Sequence, residues 1–300
     1  MKTKNFLSLG IAVLLSAGIF SSCEQIETEE LINLSEAEEV SFVDNMFEDV
    51  SMDADYVSFN EDVTNSKSSG DMPGCAVITI EYPEDTPYPR IVTIDFGEEG
   101  CAFTHQDVTI TKKGKIIVSI SDRFINPGAV RTVMLDSFYV NDNLIEGTRT
   151  MTNNGIGDNG FYSFTVELTG GKVITDEGLV IEREYTRTRA WIAGFDTPKY
   201  HFDDEFSVTG NGAGVNSDGI SYIREITAEL HIARNCPWIL SGEITTIAEE
   251  NDMVVDFGDG TCDNIATRSI NGGEPEEFTM ERRYRKRIGH RHQHQHQNNQ

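Results

Sequence analysis

The residues of this 300-residue chain that are equipped for chemistry are five cysteines, seven histidines and a large excess of acids. Four of the cysteines form two matched pairs. Cys75 and Cys101 stand 26 positions apart, and so do Cys236 and Cys262. Laid on each other without a gap, the two blocks also align Ile78 with Ile239 and Asp95-Phe96-Gly97 with Asp256-Phe257-Gly258. Structural zinc takes Cys-x2-4-Cys pairs and redox thiols usually come as Cys-x-x-Cys; neither spacing occurs here. The expectation is two disulfides, Cys75–Cys101 and Cys236–Cys262, each across an antiparallel hairpin. Closing a loop of this length stabilises a fold by roughly 3.5 kcal/mol through unfolded-state entropy.

The acids offer other chemistry. The Asp-Phe-Gly runs do not make a kinase, which also needs a Gly-rich loop, a strand lysine and a His-Arg-Asp loop. Gly97 and Gly258 more simply permit a turn or bulge where a strand ends. Asp256, Asp259 and Asp263 are close enough in sequence to offer oxygens to Ca²⁺, although their spacing is not that of an EF-hand loop, and capping of turns is the competing role. Asp203-Asp204-Glu205, just after His201, is a second acidic cluster suited in type to metal or acid–base work. His105, His201 and His231 each stand alone, and no Gly-x-Ser-x-Gly element accompanies them. His290, His292, His294 and His296 alternate, which in an extended strand puts every imidazole on one side and favours Zn²⁺, Ni²⁺ or Cu²⁺. A low-complexity tail accounts for the same run without function. No catalytic residue is assigned, and beyond Ca²⁺ or a tail-bound transition metal no cofactor is expected.

These groups need elements to position them. At the start, Lys2 and Lys4 precede the apolar stretch Phe6 to Phe20, and Ser21-Ser22-Cys23 follows. Such a segment is a secretory signal, too short and too rich in Ser and Gly to span a bilayer as a mature helix. Removal of 1–22 leaves Cys23 as the candidate lipidation site at the head of an acidic tether, 23–34. The odd cysteine count fits, since the remaining four then pair. Export also places the body where disulfides persist. Ser35-Glu36-Ala37-Glu38 is a capping box. Val40, Val43, Phe47 and Val50 follow at helical spacing, so the 35–59 segment should carry an amphipathic helix from about Glu36 to Ser51. Its polar side is acidic rather than basic, which argues against a bilayer as its partner.

Residues 60–74 read as a polar linker, and 75–280 as a β-rich domain of short β-branched and aromatic runs broken by Gly, Asn and Asp. Lys112-Lys113-Gly114, Asn141-Asp142-Asn143, Thr169-Gly170-Gly171 and Gly210 to Gly219 are expected hairpin connections. With no second helical pattern, a parallel βαβ arrangement is excluded. The expected fold is mainly β: an antiparallel meander forming a curved sheet, barrel-like or two-layer, with one N-terminal amphipathic helix. In such a sheet the two cysteine blocks come near its ends and are placed to fasten them. Residues 281–300 form a basic, His-rich tail. The formal net charge of −26 makes nucleic acid and anionic bilayer surfaces improbable partners.

The combination of Cys23, the acidic helix, the two Cys-x25-Cys blocks with Asp-Phe-Gly, a Trp191-x-x-Gly194 step and an Asp203-Asp204-x-Phe206 strand start resembles uncharacterised Bacteroidetes-type outer-membrane lipoproteins. The likeness runs to about Ile270. It implies a compartment, with an acidic leader like those of surface-exposed members, and it carries no activity or catalytic residue to transfer. The expected function is that of a non-enzymatic, lipid-anchored cell-envelope lipoprotein, a binding or structural component that meets the membrane through its anchor only. Its ligand would be a protein, a glycan or a lipid. Two alternatives stand beside it: a carrier or chaperone sheltering a lipid or peptide between sheet and helix, marked by an apolar cavity there, and a hydrolase, marked by carboxylates converging in a deep cleft.

Overall fold

A computed structural model describes residues 39, 42–44, 46–58, 66–67, 75–105, 108–197 and 201–280. Cys23, the signal and tether segments, and the tail histidines 290, 292, 294 and 296 lie outside the described residues. Helix α1 spans residues 42–58. It continues about two turns past the Ser51 end expected from the sequence, because Val50, Ala54 and Val57 hold the apolar period and are all buried. Two hydroxyls inside it, Ser51 and Ser58, donate back to the carbonyls of Phe47 and Ala54. Among the described residues no helix is long and apolar enough to cross a membrane.

Apart from one 3-10 turn at His201–Asp203, the other described elements are strands. The segment read as a linker supplies a short edge strand, β1 (Ser66–Lys67), on β2 (Val77–Glu81). β3 (Arg90–Asp95) and β4 (Cys101–His105) lie end to end along one side of β5 (Val108–Ile120). The meander then runs through β6 (Val130–Val140), β7 (Asn143–Ile156), β8 (Tyr162–Ile174), β9 (Val180–Ala193), β10 (Glu205–Val215), β11 (Ser221–Ala233), β12 (Ile239–Ala248), β13 (Asn251–Asp259), β14 (Ile265–Ile270) and β15 (Glu276–Thr279). Every pairing is antiparallel between chain neighbours, apart from the β3–β5 step, and the sheet stays open.

Two of the expected hairpin connections are not connections, and a third, Gly210 to Gly219, turns only in its last residues. β5 runs straight through Lys112-Lys113-Gly114, β8 through Thr169-Gly170-Gly171, and β10 continues to Val215. At each place the register slips instead. Shifts fall between Lys113 and Lys115, Glu146 and Thr148, Leu168 and Gly171, and Val208 and Asn211. Matching shifts in β6 and β12 extend the line. A bulge bends its strand and raises the local twist, so a row of them creases the sheet. Glycine is required there by crowding: a Cβ on Gly114 (φ +77°) would lie 1.9 Å from the Ser137 carbonyl oxygen. Asn141-Asp142-Asn143 turns the chain between β6 and β7 as expected, and the chain turns between β10 and β11 after Val215.

The crease curls the sheet round α1. Acids of the helix reach cations on β5, β6, β9 and β11. Six strand spacings separate β5 from β11, about 29 Å in a flat sheet, against a helix about 10–12 Å across. A flat sheet does not bring both within reach of one helix. The inner face holds the main core: Val43, Met46, Phe47, Val50 and Val57 of α1 pack against Val92, Ile94, Ile116, Val118, Phe138, Phe164 and Leu168. A second cluster joins β10 to β15 through Val208, Leu230, Ile244, Phe257 and Ala266.

Candidate functional site

Both cysteine pairs are disulfides, with Cα atoms 5.7 and 5.8 Å apart. Cys236–Cys262 closes the open end of the β12–β13 hairpin just outside its paired residues, and Cys75–Cys101 ties the residue two before β2 to the first residue of β4. Neither ties one end of the sheet to the other, so the fastening role expected of the repeat does not hold. The repeat keeps the same turn in both copies. The Asp95 carboxylate accepts the Gly97 amide at 2.9 Å and Asp256 accepts the Gly258 amide at 2.8 Å, with both glycines at positive φ and both phenylalanines buried. Asp259 accepts the amide and hydroxyl of Thr261, and Asp263 accepts the Ile265 amide. These three acids are thus committed to turns of their own rather than gathered on one point.

The Asp203-Asp204-Glu205 cluster is dispersed as well. Asp203 accepts the Thr197 hydroxyl, Glu205 pairs with His231 at 2.8 Å, and Asp204 turns inward to accept the Trp191 indole N–H at 3.1 Å. No general acid–base group forms from them. Asp204 is 2% exposed, and a Cβ on Gly194 would lie 2.5 Å from its Oδ1. The Trp191-x-x-Gly194 and Asp203-Asp204-x-Phe206 motifs therefore belong together: the missing side chain at 194 admits the carboxylate that orients Trp191.

The feature that sequence reading missed is the charge of the inner face. Asp44, Asp49, Asp53 and Asp55 of α1 are seated in a row of cations that point inward from the strands, while Glu48 is exposed. Asp44 accepts from Arg183 Nε at 3.0 Å and from Arg187 and Arg224 at 3.1 Å each. Asp49 and Asp53 both pair with Lys112, the former at 2.7 Å. Asp55 takes Arg131 and Arg234. At the helix C-terminus Arg90 donates to the Ser58 carbonyl at 3.1 Å, where a cation also complements the helix dipole. Farther toward the N-terminus, Glu39 accepts from the amide and hydroxyl of Ser217 in the β10–β11 turn.

Burial alone would push the Asp44 carboxyl up, but Arg183, Arg187 and Arg224 outweigh it and hold the group well below the usual carboxylate range. Asp55 behaves alike: burial opposes ionisation, and Arg131 with Arg234 overcomes it. Burial pulls Lys112 down, yet Asp53 and Asp49 raise it above its ordinary value. All of these groups stay charged near neutrality. The clue was in the alternation of β9. Ile181, Arg183 and Tyr185 are buried between exposed Glu182, Glu184 and Thr186, so the arginine occupies an inward position.

One small pocket opens where the two motifs meet the end of α1. Asp55, Arg189, Trp191, Asp204, Phe206 and Arg234 line it, backed by Phe124, Met151 and Phe164. It admits a water-sized occupant and no metabolite. Arg189 lies face-on over Phe206, 3.5 Å from the ring centre, and the Trp191 and Phe206 rings stack at 5.9 Å. Comparison of the chain with protein-family models, curated proteins and solved structures found no match.

Proposed function

We propose that this chain is a non-enzymatic, lipid-anchored cell-envelope lipoprotein acting as a binding or structural component. The observation that carries this reading is the filled inner face. The curved sheet has the shape of a carrier, but its concave side is packed with its own helix, through an apolar core and through Lys112, Arg131, Arg183 and Arg234. The one pocket described at this interface has no room for a lipid or peptide. Asp44 and Asp55, the carboxylates that do converge, converge on guanidinium groups. A carboxyl held far below its ordinary range has no proton to donate at neutral pH, so these two do not serve the acid role of a hydrolase. What the fold presents to partners is its outer face and its open edges. Across β7 to β10 that face carries the aligned row Thr152, Thr165, Thr188 and Thr209, a polar surface suited to glycan or protein contact.

The anchor is supported by Cys23 behind its apolar segment. Fractionation tests it: the parent chain should be recovered with the outer membrane and carry labelled fatty acid, and Cys23→Ala should lose both. Recovery of Cys23→Ala in the membrane fraction at parental level would sink the anchor. Biotinylation of intact cells then reads the side, with labelling expected for a surface-displayed chain and none for a periplasmic one.

A further inference from the structure

The pocket at the end of α1 holds more positive charge than its neighbours cancel. Asp55 lies in the field of four guanidinium groups, those of Arg131, Arg234, Arg189 and Arg149. The acids facing this group among the described residues are Asp55, Asp204 and Glu48. Four cations therefore meet three anions. Asp55 serves Arg131 and Arg234, while Asp204 binds the Trp191 indole and stands 3.8 Å from Arg234 Nε. The buried Nε of Arg189 has no acceptor among the described residues; its guanidinium lies over the Phe206 ring and feels Glu48 and Asp55 only through space.

Hydrogen-bond accounting points the same way. The Nε groups of Arg131, Arg189 and Arg234 and the Nη1 of Arg149 are buried without an acceptor among the described residues. Arg131 is 3% exposed and Arg149 7%, so water does not reach them from outside. Of these, Arg189 and Arg234 line the pocket, with Arg131 and Arg149 behind it in the field of Asp55; Arg90 and Arg224 each have one such nitrogen too, but are not among its lining. Buried N–H groups of charged side chains are nearly always satisfied, by protein, water or an ion. A neutral water would accept hydrogen bonds and leave the excess charge in place. An anion does both.

We propose that this pocket binds one small monovalent anion, a chloride ion or the head of a carboxylate, held by Arg189 and Arg234 beside Trp191. Charge sets the valence and the room sets the size. Chloride and carboxylate share the chemistry the site recognises, a compact single negative charge that accepts several N–H groups.

Trp191 lines the site and reports on it, because the chain has only two tryptophans. The full chain carrying Trp238→Phe is titrated in chloride-free buffer with potassium chloride and, separately, potassium acetate. Potassium sulfate, whose anion is neither monovalent nor a carboxylate and is larger than the site's room, holds ionic strength constant. The expected result is a saturable change in Trp191 emission with at least one of the two anions. Saturation with chloride alone identifies an inorganic ion, and saturation with acetate alone a carboxylate. Arg189→Met, which keeps the aliphatic stem over Phe206, should weaken half-saturation about tenfold. Asp204→Asn, which removes a neighbouring negative charge while keeping an acceptor for the indole, should tighten it about threefold. Far-UV circular dichroism checks that each variant is folded, and the Asp204→Asn arm decides if Arg189→Met is not. An unsaturable change, the same response to sulfate alone, or half-saturation unmoved by both variants overturns the proposal. So does no response in any arm, the result of a site already filled by water or by a carboxylate of the chain itself.

Discussion

Replacing Asp44 by Asn is the sharpest test of the helix–sheet interface. The substitution keeps size and shape but removes the charge on which Arg183, Arg187 and Arg224 converge. Arg183 is 1% exposed, so its charge has no recourse to solvent. Removing one partner of a buried ion pair typically costs about 3–5 kcal/mol, because the remaining charge stays buried and uncompensated. Asp44 itself is 21% exposed, which places the expectation toward the lower end, about 3 kcal/mol. Urea unfolding followed by tryptophan emission would read this as a midpoint lowered by about 1 M, taking a slope of about 3 kcal/mol/M for a chain of this size. Asp142→Asn provides the comparison, since its partner Lys113 lies on the solvent side and the pair is exposed; its midpoint should not move. Arg183→Met alone should also destabilise, and the double substitution should cost less than the two single effects added. Equal midpoints for Asp44→Asn and Asp142→Asn, or full additivity with Arg183→Met, would refute an interface held by buried charge.

Three other outcomes are expected. Because Asp44 and Asp55 are held below their unfolded values, they contribute stability that is complete above about pH 5 and is lost as pH falls through about 4 and lower; a parent protein losing no more stability than Asp44→Asn between pH 5 and pH 3 contradicts this. Lys112→Met leaves Asp49 and Asp53 facing each other without their shared cation, so it should destabilise by about 3–5 kcal/mol at pH 7. A urea midpoint equal to that of the parent argues against it. Removing Cys75 and Cys101 together as alanines should lower stability by about 3.5 kcal/mol, with identical peptide maps before and after reduction of the parent as the contrary result.

The fold class was legible because strand signals are local. The short β-branched and aromatic runs of 75–280 read as strands and are strands, and the apolar period of Val43, Phe47 and Val50 announces α1. What local pattern left ambiguous was glycine. In Lys112-Lys113-Gly114 and Thr169-Gly170-Gly171, a glycine inside a β run fits a hairpin turn and a bulge equally well. The choice is made by the neighbouring strand, whose Ser137 carbonyl occupies the space beside Gly114. The charged inner face was hidden for a related reason. Asp44 and Arg183 are 139 positions apart, and nothing near either one names the other. An acidic helix side in an acidic chain looks like a solvated face, and only the tertiary pairing turns it inward.

That pairing changes what the net charge means. The formal −26 counts nine cations, from Arg90 to Arg234, that lie on the α1 side of the sheet, where the helix offers them the five acids Asp44, Glu48, Asp49, Asp53 and Asp55. Acids of the outer strands, such as Glu146, Glu167, Glu182 and Glu184, have no such counterweight in the interior, so the outward surface is more uniformly negative than composition suggests. A surface of that sign is repelled by anionic headgroups within a Debye length, about 8 Å at physiological salt. In the proposed anchored state the lipid at Cys23 pulls toward the bilayer while the acidic tether and body push away from it. The geometry this favours is a sheet held off the membrane on its leader, with its polar outer face turned to partners rather than to lipid.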